Sequence, residues 1–356
     1  MVVSLLVLGA LAVAPVQDQG PSPGLLAFLQ QQIGLDSSQI AAVQHGDAVV
    51  KVLDSPEQRD IALFGIVGSK ASREAYIEKV RNFQTSLRAP TRTRFGIFHD
   101  PAVAEDVEAV VVSASDLQEL KDCRPGNCVT KLPATDMQRL QSEIDWTAPD
   151  LQGRLTSLAR KRLVEYVAQY RASGDSAMVV YDDRARQHVH SSDVFAALLA
   201  ATPYLYQKIP SLQRYFASYP RDTLPGAAEV VYWAEDVLPR LRPILSVTHL
   251  VVYAPPELPR LTVIASKQIY ANHYFESALE VSCVEDGAPG GAPGSYLFVL
   301  RRYRFDNLPS GGIANLKGRA IGALRNLLAE DLKRQREGGR GGRENGSLEG
   351  RGPGPP

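Results

Sequence analysis

Four stretches in the last third of the chain decide the fold: ILSVTHLVVY at 244–253, LTVIASKQIY at 261–270, HYFESALEVSCV at 273–284 and SYLFVLRRYR at 295–304. Each is rich in β-branched and aromatic residues, and each alternates in character along much of its length, the pattern of strands that bury a face. The connections carry Pro255-Pro256 and the Gly/Pro-rich run Asp286–Gly294, which suit turns between antiparallel neighbours. A helix is expected next, from Ile313 to about Gln335, with Ile313, Leu316, Ala320, Leu324, Leu327 and Leu328 on one apolar stripe. Gly318 and Gly322 stand one turn apart on it. The charges around them argue against a membrane dimer motif and for close approach of the helix to a sheet.

Working toward the N-terminus, 137–242 reads as mainly helical. Leu155, Leu158, Leu163, Tyr166, Val167 and Tyr170 recur on one stripe, and further helices are expected over about Ser192–Ala201, Ser211–Ser218 and Ala227–Leu238, bounded by prolines. Before this region, Ala48–Leu53 and Ile61–Val67 form a hairpin across Asp54-Ser-Pro-Glu57, followed by a helix over Ser72–Phe83. Residues 95–112 look extended or irregular, Ser115–Asp122 reads as a short helix, and another helix follows Pro23. The fold class is therefore α+β, an antiparallel sheet with a long C-terminal helix.

Composition sets the outer limits. The 356 residues are 44% hydrophobic and 22% charged, values of an ordinary globular chain. Lys/Arg and Asp/Glu number 39 each, so no global field favours nucleic acid. Met1–Ala12 is a short apolar run ending in small residues. It reads as a signal peptide within 1–20, although no Lys or Arg precedes it, and a periplasmic or secreted location follows. No other run is long enough to span a bilayer. The Gly, Arg, Glu and Pro of 337–356 cannot offset their ordering entropy and are expected to be disordered.

The sharpest local feature is Cys123-Arg-Pro-Gly-Asn-Cys128, where Pro125-Gly126 offers a tight turn that brings two sulfurs together as a disulfide. Four intervening residues do not fit a two-residue redox motif, and no further soft ligands stand near for zinc. Cys283 is left as a small buried hydrophobe. His188 and His190, near Asp182, Asp183 and Asp193, read as a polar loop rather than a metal site.

Alternation puts His249 on a strand face with Val247, Val251 and Tyr253, and Lys267 with Val263, Ala265 and Ile269. A polar residue in such a row either lines a cavity or is a satisfied core group. Motifs of hydrolases, nucleotide binders and metalloproteases do not occur.

The order hairpin, helix after Ser69-Lys-Ala-Ser-Arg-Glu74, long antiparallel strands and C-terminal helix resembles the START-like helix-grip proteins. Ile61–Phe83 resembles their opening strand and first helix, and Tyr296–Phe305 with Asp306-Asn-Leu-Pro-Ser-Gly311 resembles their passage into the gripping helix. The resemblance covers roughly 48–85 and 245–335 of a domain spanning 21–336, and makes about 134–243 a helical insertion. Cys123–Leu132 is also similar to a Cys-Arg-x-Gly-x-Cys segment ahead of Lys-Leu in a group of secreted bacterial proteins without an assigned activity.

The START-like resemblance implies an apolar or lipid-like small molecule held between sheet and helix; its contacts vary too much across that superfamily to carry over, and the strand and helix patterns themselves make His249, Lys267, Tyr270, Tyr274, Ala320 and Leu324 the candidate contact residues. No cofactor, metal or nucleic-acid partner is expected. Two alternatives stand beside it: a cyclase-like enzyme using His249, Lys267 or Tyr270 for acid/base assistance, and an envelope module that docks a protein partner.

Overall fold

The computed structural model describes residues 20–238, 241–308 and 315–336. The signal-peptide segment, the tail from 337 and Ile313 of the helix stripe lie outside the described residues.

The elements run α1 (Pro23–Gln31), α2 (Ser37–Gln44), β1 (Val49–Leu53), β2 (Asp60–Ser69), α3 (Arg73–Arg81), α4 (Phe83–Ser86), β3 (Arg92–Ile97), α5 (Ala114–Asp122), α6 (Ala134–Glu143) and α7 (Leu151–Ser173). After these come β4 (Val180–Tyr181), β5 (Val189–His190), α8 (Ser191–Ala200), α9 (Pro203–Lys208), α10 (Pro210–Ser218), β6 (Ala228–Asp236), β7 (Ile244–Tyr253), β8 (Leu261–Ala271), β9 (Phe275–Gly287), β10 (Gly294–Phe305) and α11 (Leu316–Arg336). Side-chain caps start the helices where the sequence supplies them. Ser72 accepts from the Ala75 amide ahead of α3, and Ser113 does the same for α5 from Asp116. Asp36 and Gln39 form a reciprocal capping box that starts α2, a helix absent from the sequence reading.

Among the described residues, eight strands form one antiparallel sheet in the order β1-β2-β10-β9-β8-β7-β6-β3. The expected hairpin of β1 and β2 is present, with Val49 opposite Ile66. One expectation is overturned: Ala227–Leu238, read as a helix, is strand β6, inserted between β3 and β7. Its Ala, Glu and Leu content favours a helix locally, but Val231 and Trp233 must reach one face of the sheet while Tyr232 and Ala234 reach the other. Period-two burial of both sets is available only to a strand. The helical part of 134–243 therefore runs from α6 to α10.

Both faces are covered. On the first, α3, α4 and α11 pack on Leu63, Val67, Leu297, Val299 and Val284, and Leu87 packs on Tyr232 and Ala234. On the second, α1 and α2 cover Phe64, Ile66 and Tyr296 at the β2–β10 end. Helices α7, α8 and α10 cover Val247, Val251, Val263, Ala265 and Val281.

The seat of α11 is tighter than its sequence suggests, and turned. Leu328 and Leu332 are the buried anchors, Ala320, Ile321 and Leu324 are partly buried, and Leu316 (42%) and Leu327 (37%) are exposed. The stripe read from the sequence thus holds at Ala320, Leu324 and Leu328 and fails at Leu316 and Leu327. The close approach is made from the other side, by Gly65 of β2. A Cβ there would stand 2.7 Å from Leu332 Cδ1 and 3.1 Å from Leu328 Cδ2, whereas one on Gly322 would meet nothing within 4 Å. Leu328→Ala should therefore cost roughly 2–5 kcal/mol and Leu327→Ala far less, read as shifts of the urea midpoint. Equal shifts would refute this seating of the helix.

Candidate functional site

A cavity of about 440 Å³ opens on the second face, at the end of the sheet where β6, β7 and β8 contribute Glu235, Leu245 and Tyr270. Its other walls come from α5, α6, α7 and residues 177–180. Helix α7 supplies Leu155, Leu158, Leu163 and Tyr166, the stripe already legible in the sequence. Leu120 of α5 and Leu140 of α6 face them.

The outer wall is a single chain segment pinned at several points. Val112 N donates to Thr156 Oγ1 at 3.1 Å, tying the start of α5 to α7. Lys131 N donates to the Asn272 carbonyl at 2.8 Å, and Asp182 N to the Leu132 carbonyl at 3.0 Å. The amide of Ala134 donates to Asp182 Oδ2 at 2.8 Å, which fixes the start of α6.

Cys123 and Cys128 stand at disulfide distance, with Cα atoms 4.5 Å apart. Gly126 between them has φ +83°, a left-handed conformation that glycine adopts without strain. Cys123 is buried with Leu120, Met137, Leu140 and Leu155, so the loop backs onto the cavity wall. Gln141 Nε2 donates to the Cys123 carbonyl at 3.0 Å and joins α6 to it. Cys283 is free and buried. Denatured, unreduced protein should present one alkylatable thiol, and a count of three would overturn the pairing.

Polar groups on the cavity lining include Asp116, Asp136, Arg139, Arg162, Asp182 and Glu235, and the two tyrosines are engaged with the backbone. Tyr166 donates to the Ile269 carbonyl at 2.6 Å and Tyr270 to the Lys131 carbonyl at 3.3 Å. Burial pushes both phenols up, so they stay neutral. Asp136 pairs with Arg162 at 2.8 Å, and burial nevertheless raises its carboxyl. Asp116 also feels burial, but the nearby His273, its Nε2 3.8 Å from Oδ1, together with Ser113 outweighs it and holds the carboxyl below its usual value. Arg139 completes the rim near Glu165.

Of the candidate ligand-contact residues named from the sequence, only Tyr270 borders this cavity. His249 and Lys267 do come together, directly paired across β7 and β8 and pointing to the second face with the neighbours expected for each. They lie inside the core. His249 is held between Tyr170 (3.0 Å from Nδ1) and Tyr215 (3.2 Å from Nε2), and Tyr219 lies against its ring at 4.6 Å. Tyr215 in turn donates to Glu229, a half-exposed carboxylate on β6. Lys267 is fully buried, ion-paired with Asp175, and its ammonium sits 4.5 Å from the Phe195 ring centroid.

The other singled-out residues lie elsewhere. Tyr274 belongs to the first face, where its hydroxyl accepts from Arg242 N at 3.0 Å. Ala320 and Leu324 are part of the α11 contact on that same face, opposite the cavity. Among the described residues no group of three His, Cys, Asp or Glu could hold a metal. His188, on the two-stranded β4–β5 turn, pairs with Asp182 at 2.5 Å.

Sequence reasoning missed Asp116, Asp136, Arg139 and Arg162. They come from three helices whose packing is set by tertiary contacts, and charged residues on amphipathic helices look alike when read singly. No family model and no curated protein matches the chain. No described helix is long and apolar enough to cross a membrane.

The buried imidazole makes stability depend on pH. Burial lowers the His249 pKa, and Lys267 and Arg171 act in the same direction against Glu229. The unfolded chain therefore binds the proton first. The contribution of this group is fully present above about pH 6.5, and is lost as pH falls from there toward the lower native value. Urea midpoints between neutral pH and about pH 5 should fall in the native protein and fall less steeply in His249→Asn. Parallel slopes would refute the assignment.

Proposed function

We propose that the protein is an exported binder or carrier of an apolar small molecule, held between α5, α6, α7 and the end of the sheet on a START-like frame. The observation that carries this reading is the cavity itself: about 440 Å³, with an apolar wall of leucines and valines, a charged rim that includes Asp136, Arg139 and Arg162, and two tyrosines whose hydroxyls are committed to backbone carbonyls. That volume lies in the range of small-molecule sites, and its leucine and valine wall favours burial of hydrocarbon, with the charged rim left to orient a polar end. The Cys123–Cys128 pair supports an oxidising compartment and stiffens the wall.

The placement differs from a site gripped beneath the C-terminal helix. Here α11 is seated on the first face by Gly65, and the cavity is on the second. His249 and Lys267 are bound up in the core away from its wall, which favours binding over acid/base chemistry at this place.

The two placements separate in one experiment. Ala159 borders the cavity on α7, so Ala159→Trp should lower uptake of an apolar fluorescent probe such as a naphthylamine severalfold. Ala320→Trp, under α11, should leave uptake unchanged. Uptake lost in the second variant and kept in the first would return the site to the helix grip. Uptake unaffected by both, with circular dichroism confirming folded protein, would refute the binding role.

A further inference from the structure

A separate cavity of about 350 Å³ lies on the second face toward the other end of the sheet, between α1 and α9. Phe28, Phe64 and Phe298 form an aromatic wall, with the Phe28 centroid 6.1 Å from Phe64 and 6.0 Å from Phe298. Tyr204 of α9 closes over Phe28 at 5.4 Å, and Cys283 lies in the floor.

Next to this apolar space is a buried cation. Arg302 follows Leu300 of the cavity floor by two residues on β10, hence on the same face, and is 6% exposed. Arg301 and Arg304 beside it are paired, with Glu280 and Asp331 and with Asp60. Among the described residues Arg302 has no such carboxylate, and its buried Nε has no acceptor. It lies behind Tyr204 of the cavity lining and interacts with that phenol, partly offsetting the upward push of burial on it, while the Tyr204 proton has no acceptor. A guanidinium and a phenol with open donors are costly to bury until an anion completes them. The lining also holds two exposed cations, Lys208 and Arg260, and Glu285, whose buried Oε1 has no hydrogen-bond partner.

We propose that this second cavity binds an aliphatic monocarboxylate of fatty-acid type, its tail along the phenylalanine wall and its carboxylate accepting from Arg302 and Tyr204. The apolar volume selects the tail. The fixed cation selects the acid over neutral analogues, because a charge-assisted hydrogen bond in a desolvated site is among the stronger polar contacts.

Calorimetric titration with dodecanoate and with dodecanol tests it on the full chain. The native protein should bind the acid about tenfold or more tighter than the alcohol. Arg302→Met should erase that preference and keep the alcohol, whereas Ala159→Trp, which fills the first cavity, should leave the preference intact. In the native protein, dodecanoate should also slow alkylation of Cys283 by N-ethylmaleimide, a readout that does not depend on a variant folding. Equal affinity for acid and alcohol, a preference that survives Arg302→Met, or an unprotected Cys283 would each overturn the proposal.

Discussion

An antiparallel sheet eight strands wide whose strands carry apolar side chains on both faces must be covered twice, and every other feature of this protein follows from how that is done. Leaving either face to water would expose the valine, leucine and phenylalanine rows that drive folding. The first face is narrow in its demands and is met by short helices after β2 together with α11. The second face is broader. It takes the chain from α5 to α10, plus α1 and α2, to cover it. The long helical segment in mid-sequence is thus the second lid of the sheet.

Covering a wide, twisted surface with straight helices leaves gaps where neighbouring helices diverge. Both cavities sit at such places on the second face, one where α5 and α6 arch away from the end of β6–β8, the other between α1 and α9. The tight seat of α11 on Gly65 has the opposite effect, since a missing side chain lets helix and strand close completely. Binding capacity is therefore placed by the covering helices, and rigidity by the C-terminal one.

The same second layer buries charge. Lys267 and His249 project from adjacent strands into a shell of aromatic rings, and each survives there because a specific partner reaches it: Asp175 for the ammonium, Tyr170 and Tyr215 for the imidazole. Those partners belong to the helical layer and the turn after α7, so sheet and helices are locked in one register. Arg302 departs from this pattern, since among the described residues no carboxylate reaches it and its Nε has no acceptor.

The sequence by itself determined the strands β7 to β10, the opening hairpin, the α7 stripe, the Cys123–Cys128 pair and the facing of His249 and Lys267, because each depends on local period or short spacing. It misassigned Ala227–Leu238, whose composition suits a helix until a sheet offers partners on both sides. It placed the stripe of α11 only in part, since which leucines are buried depends on where Gly65 lets the helix settle. The cavities were beyond it altogether. A cavity is the space that remains after distant helices have packed, and only the tertiary structure decides where that packing stops short.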